Sequence, residues 1–181
     1  EESGGGVTLS GGECLLQPDY AAEILKRCAE ENVHTAVETA LFTDFGAVEK
    51  TLPFCRLYLA DLKIPDPEKH KRYTGQDNRR IVANLRSLAE RAPGKVLVRI
   101  PLIPGVNDTD IPGFAELLSP LAGALRGAEV LRYNSLAGSK YEVCGREYRD
   151  FGESQTGEEM ALFCSRLQDA LGGGMPVFTS V

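Results

Sequence analysis

Two glycines and a carboxylate, Gly11-Gly12-Glu13, follow a short strand-like run, Val7-Thr8-Leu9-Ser10, which a first cluster, Gly4-Gly5-Gly6, precedes. Glycine removes the Cβ wall and permits positive φ, so backbone here can approach a ligand closely. In an α/β protein the loop after a strand lies at the carboxyl edge of the sheet, where ligands bind. A tight strand-to-helix turn with Glu13 as a capping acid accounts for the same residues without a ligand. Further polar groups fall where apolar strands stop: Glu38-Thr39, Asp61-Leu62-Lys63 and Tyr133-Asn134, with Arg99 near the end of the intervening strand. On one parallel sheet these ends converge on one mouth. Singly, each has a structural reading: Asp61 and Lys63 as a strand-end ion pair, Arg99 as the structural partner of an acid.

Strands alternating with helices must position these groups. Pro18 suits a first helical turn, and Tyr20, Ala21, Ile24, Leu25 and Cys28 recur at helical spacing through Glu31. His34 to Thr39 reads as a short buried strand, and Asp44 to Leu52 as a helix that Pro53 ends. Arg56 to Asp61 is the next strand, followed by helices over about Pro67 to Tyr73 and Asn78 to Arg91. Lys95 to Ile100 is a fourth strand and Leu102 to Asp108 a turn. Phe114, Leu117, Leu118 and Leu121 then mark a helix, and Ala128 to Tyr133 a fifth strand. Asn134 to Phe151 is a long irregular link, of the kind that carries function. Ser154 or Thr156 caps a last helix with Met160, Phe163, Leu167 and Leu171 before a strand at Met175 to Phe178. About six strands in this alternation predict a parallel sheet, either an open doubly wound one or part of a (β/α) barrel.

A chain of 181 residues buries one sizeable core, so residues 1–181 are read as a single domain. The net charge of −6 argues against a nucleic-acid surface or a basic membrane face and points to small-molecule or protein partners. No apolar run approaches the ~20 residues needed to span a bilayer, so the cytoplasm is the expected compartment. Cys14, Cys28, Cys55, Cys144 and Cys164 are scattered and odd in number, unlike a disulfide framework. Cys14 reads as a buried neutral thiol, His34 as structural, and His70 as an exposed histidine in a highly charged helix.

Val7 to Glu13 with Leu15-Leu16-Gln17 resembles the Gly-Gly-Glu motif of radical S-adenosylmethionine enzymes, in particular the activating enzymes of glycyl radical enzymes such as pyruvate formate-lyase. Tyr58-Leu59-Ala60-Asp61-Leu62-Lys63 with Asp66 to Gly75 is similar to their Asp-Leu-Lys segment, and Arg99 to Asp108 to their next signature. The resemblance implies a partial (β/α)6 TIM-like barrel of parallel strands lacking its first β-α unit. It further implies a site in which Gly11, Gly12 and Glu13 hold the ammonium of S-adenosylmethionine and Lys63 and Arg99 meet its carboxylate. Ile103 and Val106 would line the adenine. Glu38, Thr39 and Asp61 would surround a monovalent cation. The implied partners are a glycyl radical enzyme and a reduced donor such as flavodoxin or ferredoxin.

This sequence departs from the family in places. Cys14 stands where Pro or Ala is usual, and Asn134, counted with the cofactor-binding positions, stands where a Tyr-His pair is usual. Ala137-Gly138 displaces a glycine by one residue, whereas Lys140-Tyr141 and Gly145-Arg146-Glu147-Tyr148 agree. The Cys-x3-Cys-x2-Cys motif that holds the [4Fe-4S] cluster is expected upstream, in a longer parent protein, because three thiolates must each fill a site on iron. Residues 1–181 alone are therefore expected to be inactive. Two other functions fit the residues: an aldolase-like barrel with a Schiff base on Lys63, and a non-catalytic module docking a peptide through Asn134 to Phe151.

Overall fold

The computed structural model describes residues 5–134 and 150–180. Six strands, β1 (Gly6–Leu9), β2 (His34–Thr39), β3 (Leu57–Asp61), β4 (Val96–Pro101), β5 (Gly127–Leu131) and β6 (Val177–Thr179), form one sheet. All neighbours are parallel and follow chain order, β1-β2-β3-β4-β5-β6. A doubly wound sheet reverses its order at a switch point; this sheet never does, and it is not closed. Of the two architectures open to the sequence, the partial barrel is the one found.

The connecting helices are α1 (Pro18–Glu30), α2 (Phe45–Thr51), α3 (Pro67–Thr74), α4 (Arg79–Arg91), α5 (Ile111–Leu118) and α6 (Gly157–Ala170). Local chemistry sets their ends. Asp44 caps α2 by accepting from Gly46 N at 2.8 Å. Asp66 caps α3 by accepting from Lys69 N at 2.6 Å, Pro67 opens that helix, and Gly75 ends it at a φ of 87°. Thr156, not Ser154, caps α6, in a reciprocal box with Glu159. Loss of such a cap costs about 1 kcal/mol.

Alternation along the strands divides the sheet into two faces. Val37, Tyr58, Ala60, Val98, Ile100, Ala128 and Val130 point under the helices and are buried. On the other, concave face the register aligns Asp61, Arg99, Glu129 and Phe178 in one row, with intermediate or greater exposure. A closed barrel fills its interior with apolar layers; this open one carries charge there.

Two strand limits differ from expectation. β5 stops at Leu131, leaving Tyr133 beyond the sheet. The reason is a change of partner: Leu131 O still accepts from Leu102 N, whereas Tyr133 N donates to the Gln155 side chain at 2.9 Å. β6 begins at Val177 because Met175 O accepts from the Gln168 side chain instead.

Candidate active site

Four charged side chains meet across the carboxyl ends of β2, β3 and β4. Lys63 Nζ donates to Asp61 Oδ2 at 2.9 Å, and Arg99 Nη2 reaches Glu38 Oε1 at 3.1 Å. Arg99 Nε lies 3.8 Å from Asp61 Oδ1, an ion-pair distance too long for a hydrogen bond. Both of those buried atoms lack a hydrogen-bond partner among the described residues. Ser10 Oγ completes the row by donating to Glu38 Oε2 at 2.8 Å. The ion-pair reading of Asp61, Lys63 and Arg99 is thus correct, yet it leaves one donor and one acceptor unused.

Beside this row, Gly11 and Gly12 turn at φ of 88° and 51°, and a Cβ built on either would meet nothing within 4 Å. Their backbone is open on the side that a side chain would occupy. The Glu13 side chain behaves differently. It accepts from Leu15 N at 3.2 Å, capping a 3₁₀ turn at Cys14–Leu16, and also from Ala40 N at 3.0 Å and Thr39 Oγ1 at 2.8 Å. The capping reading therefore holds for its carboxylate, whose two oxygens are engaged within the protein.

That pairing separates Glu38, Thr39 and Asp61. Adjacent residues on a strand point to opposite faces, so Glu38 meets Arg99 on the concave side while Thr39, buried, turns its hydroxyl to Glu13. The three side chains do not converge on one point.

A cavity of about 520 Å³ opens among the loops, with Asp61, Lys63, Ala40, Phe42, His70 and Ile103 in its wall. Ile103 thus lines a cavity, whereas Val106 is 2 % exposed and sits inside the turn, its N–H donating to Ile103 O. Asn134 is exposed and does not line the cavity. His70 overturns its expectation: it is 4 % exposed, because α3 packs it inward against its own C-terminal turn. Its Nδ1 donates to Gln76 O at 2.6 Å, a carbonyl that can only accept, which fixes the proton on that nitrogen.

Three buried asparagines hold these loops, Asn84 from within α4, and none carries a sequence signal that separates it from an ordinary polar residue. Asn78 Nδ2 donates to Ile64 O and Pro65 O, Asn84 Nδ2 to Leu41 O and Thr43 O, and Asn107 Nδ2 to Lys63 O and Pro101 O. Each satisfies backbone carbonyls that would otherwise be buried without a donor.

Cys14 places its Sγ 3.6 Å from Glu38 O, and burial, then the Glu13 charge, push its thiol up to about 11. It is a neutral thiol, as read, but half-buried where the sequence reading has it buried. Among the described residues no three His, Cys, Asp or Glu side chains gather as a metal site. Cys144, Ala137-Gly138, Lys140-Tyr141 and Gly145 to Tyr148 lie outside the described residues. No helix among the described residues is long and apolar enough to cross a membrane.

Known proteins resemble the chain in sequence and in fold. Residues 1–118 match the model of the Radical SAM superfamily. The chain is 39% identical over 153 residues to a (2S)-3-sulfopropanediol dehydratase activating enzyme from Klebsiella oxytoca, covering 82% of this chain and 48% of that protein. It is 42% identical over 148 residues to an isethionate sulfite-lyase activating enzyme from Nitratidesulfovibrio vulgaris, covering 80% and 47%. It thus spans about half the length of these relatives. Among solved structures, a domain of pyruvate-formate lyase-activating enzyme from Bacteroides vulgatus superposes with a TM-score of 0.77 at 31% identity, covering 98% of this chain and 99% of that one.

Proposed function

The chain belongs to the radical SAM superfamily, and we propose that it is the greater part of the partial barrel of an enzyme that activates a glycyl radical enzyme, as its relatives' names describe for them. The observation that carries this reading is the charged row of Glu38, Arg99, Asp61 and Lys63 beside the open Gly11-Gly12 backbone, with no hydrogen bond on Arg99 Nε or Asp61 Oδ1 among the described residues. An amino-acid zwitterion supplies the groups that row lacks: a carboxylate for Arg99 and Lys63, an ammonium for Asp61 and the glycine carbonyls. The methionine part of S-adenosylmethionine is such a zwitterion, so the residues fit the cofactor.

When bound, S-adenosylmethionine and a [4Fe-4S] cluster supply the one-electron chemistry by which a hydrogen atom is taken from a glycine of the partner. The cluster's thiolate ligands are assigned to a part of the protein outside residues 1–181, and the chain alone is expected to be inactive. Its own residues bind, orient and exclude water; none acts as an acid or base. Ile103 walls the adenine, supported from below by Val106. Glu38 and Asp61 are the carboxylates proposed to offer oxygens to a monovalent cation, whereas the Thr39 hydroxyl is engaged by Glu13 and Leu41. Reduced flavodoxin or ferredoxin is the proposed donor and the cytoplasm the proposed compartment. The ion pair with Asp61 occupies the amine that a Schiff base on Lys63 would need free, which disfavours the aldolase reading.

The test is anaerobic reconstitution with iron and sulfide of the intact polypeptide, and separately of residues 1–181. The intact protein should bind S-adenosylmethionine, release deoxyadenosine and produce a glycyl radical signal in its partner. Cluster formation and deoxyadenosine release by residues 1–181 alone would show that the division of roles is wrong. Borohydride trapping of a carbonyl compound on Lys63 would show that the chemistry is.

A further inference from the structure

The loop that follows β2 is held from both sides. From one side the Glu13 carboxylate accepts from Ala40 N at 3.0 Å and from Thr39 Oγ1 at 2.8 Å. The same Thr39 oxygen accepts from Leu41 N at 2.9 Å. From the other side the buried Asn84 amide donates to Leu41 O and Thr43 O, both at 2.9 Å. Between these clamps Leu41 is fully buried at a φ of 56°, a conformation that a residue with a Cβ adopts only when its surroundings over-determine it. The flanking residues, Ala40 and Phe42, form the wall of the cavity that Asp61, Lys63 and Ile103 share.

We propose that Glu13 is a positioning residue: its carboxylate latches the loop after β2, through Thr39 and Ala40, so that Ala40 and Phe42 shape the cofactor cavity. Its hydrogen-bonding capacity serves that latch and not the cofactor's ammonium. Three donors already converge on its two oxygens and take up most of the roughly four lone-pair sites that a carboxylate offers. Latch and cavity wall are one unit. The hydroxyl of Thr39 is its central atom, accepting from Leu41 while donating to Glu13. The proposal rests on the reading of the cavity as the S-adenosylmethionine site.

The intact polypeptide carrying Glu13→Gln, Thr39→Val and both changes tests it, with affinities measured by calorimetry for S-adenosylmethionine and for 5′-methylthioadenosine, which lacks the amino-acid part. The latch predicts that each single change weakens both ligands by about tenfold, the scale of one hydrogen bond to a charged group. It also predicts that the double variant is little worse than either, since both remove one device. A direct contact with the ammonium predicts loss for S-adenosylmethionine only, with Thr39→Val silent, and that result overturns the proposal; so does unchanged affinity in both variants. A ligand-free readout runs in parallel. Glu13→Ala should speed amide exchange at Ala40 and Leu41 while leaving Val37 protected, and unchanged exchange at Ala40 also overturns it. Failure of the unaltered protein to bind S-adenosylmethionine would instead count against the proposed function, with the exchange experiment still reporting on the latch.

Discussion

Asn107 Nδ2 donates to the Lys63 carbonyl at 2.6 Å, joining the loop after β4 to the end of β3. The same amide donates to Pro101 O at 2.7 Å and its oxygen accepts from Ile103 N at 2.7 Å. One fully buried side chain therefore sets the spacing between Lys63 and Ile103, two residues on the cavity wall.

Asn107→Ala should remove the donor to two part-buried carbonyls and the acceptor of one N–H, at about 1–3 kcal/mol for a group so stranded. Urea denaturation should show that loss of stability, and S-adenosylmethionine affinity should fall with it. Full stability in the variant would show that water replaces the amide without cost.

Gly12→Val places a β-branched residue at a φ of 51° in a position where its methyls point into open space. The left-handed backbone costs about 1–2 kcal/mol for a residue with a Cβ, so the fold should persist with a lowered melting temperature. Affinity for S-adenosylmethionine should drop far more steeply than stability. A folded variant that binds as well as the original would remove the glycine loop from the site.

Lys63→Met and Arg99→Met should each weaken S-adenosylmethionine by roughly 1.5–3 kcal/mol, the range for charge-assisted bonds. A double-mutant cycle on affinity should show coupling. Because both cations also face Asp61, the same cycle must be run on stability without ligand, and the binding coupling should exceed it. Equal coupling in the two experiments would mean that the pair communicates through Asp61 and not through a shared carboxylate.

Cys14 and Cys55 have thiols raised to about 11, chiefly by burial. The folded state therefore holds these protons more tightly than the unfolded chain does. Their contribution to stability is complete below the unfolded thiol range and is lost as pH climbs from about 9 through 11. Denaturation midpoints should fall over that window, and Cys14→Ser should flatten part of the fall. At pH 8 alkylation of Cys14 should run about 100-fold slower than for an ordinary thiol, in line with its smaller thiolate fraction.

Much of the fold was legible because its signals are local. Apolar periodicity, Pro18, Pro67, Asp44, Asp66 and Thr156 mark helices and caps within a few residues of where they act. The Gly11-Gly12-Glu13 and Asp61-Leu62-Lys63 strings also stand in unbroken sequence at strand ends, and in the structure Asp61 and Lys63 form the cavity wall with Ile103. What sequence order left open was the order of strands in space. Alternation of strand and helix suits two architectures, and only pairing of each strand with its successor, which depends on side chains far apart in the chain, selects the open barrel.

Side-chain partners were decided by the tertiary structure. Glu38 and Thr39 are neighbours in the chain and were grouped together, yet the pleat sends one to Arg99 and the other to Glu13. His70 lies in a run of charges that reads as a solvated face, yet its own position on α3 is the one that turns inward, where Gln76 O takes its proton. A carboxylate or an imidazole satisfies its hydrogen-bonding capacity with whichever group the fold brings within about 3 Å. Sequence order puts these charges at strand ends; the fold sets which of them pair with one another and leaves Arg99 Nε and Asp61 Oδ1 without a hydrogen bond among the described residues.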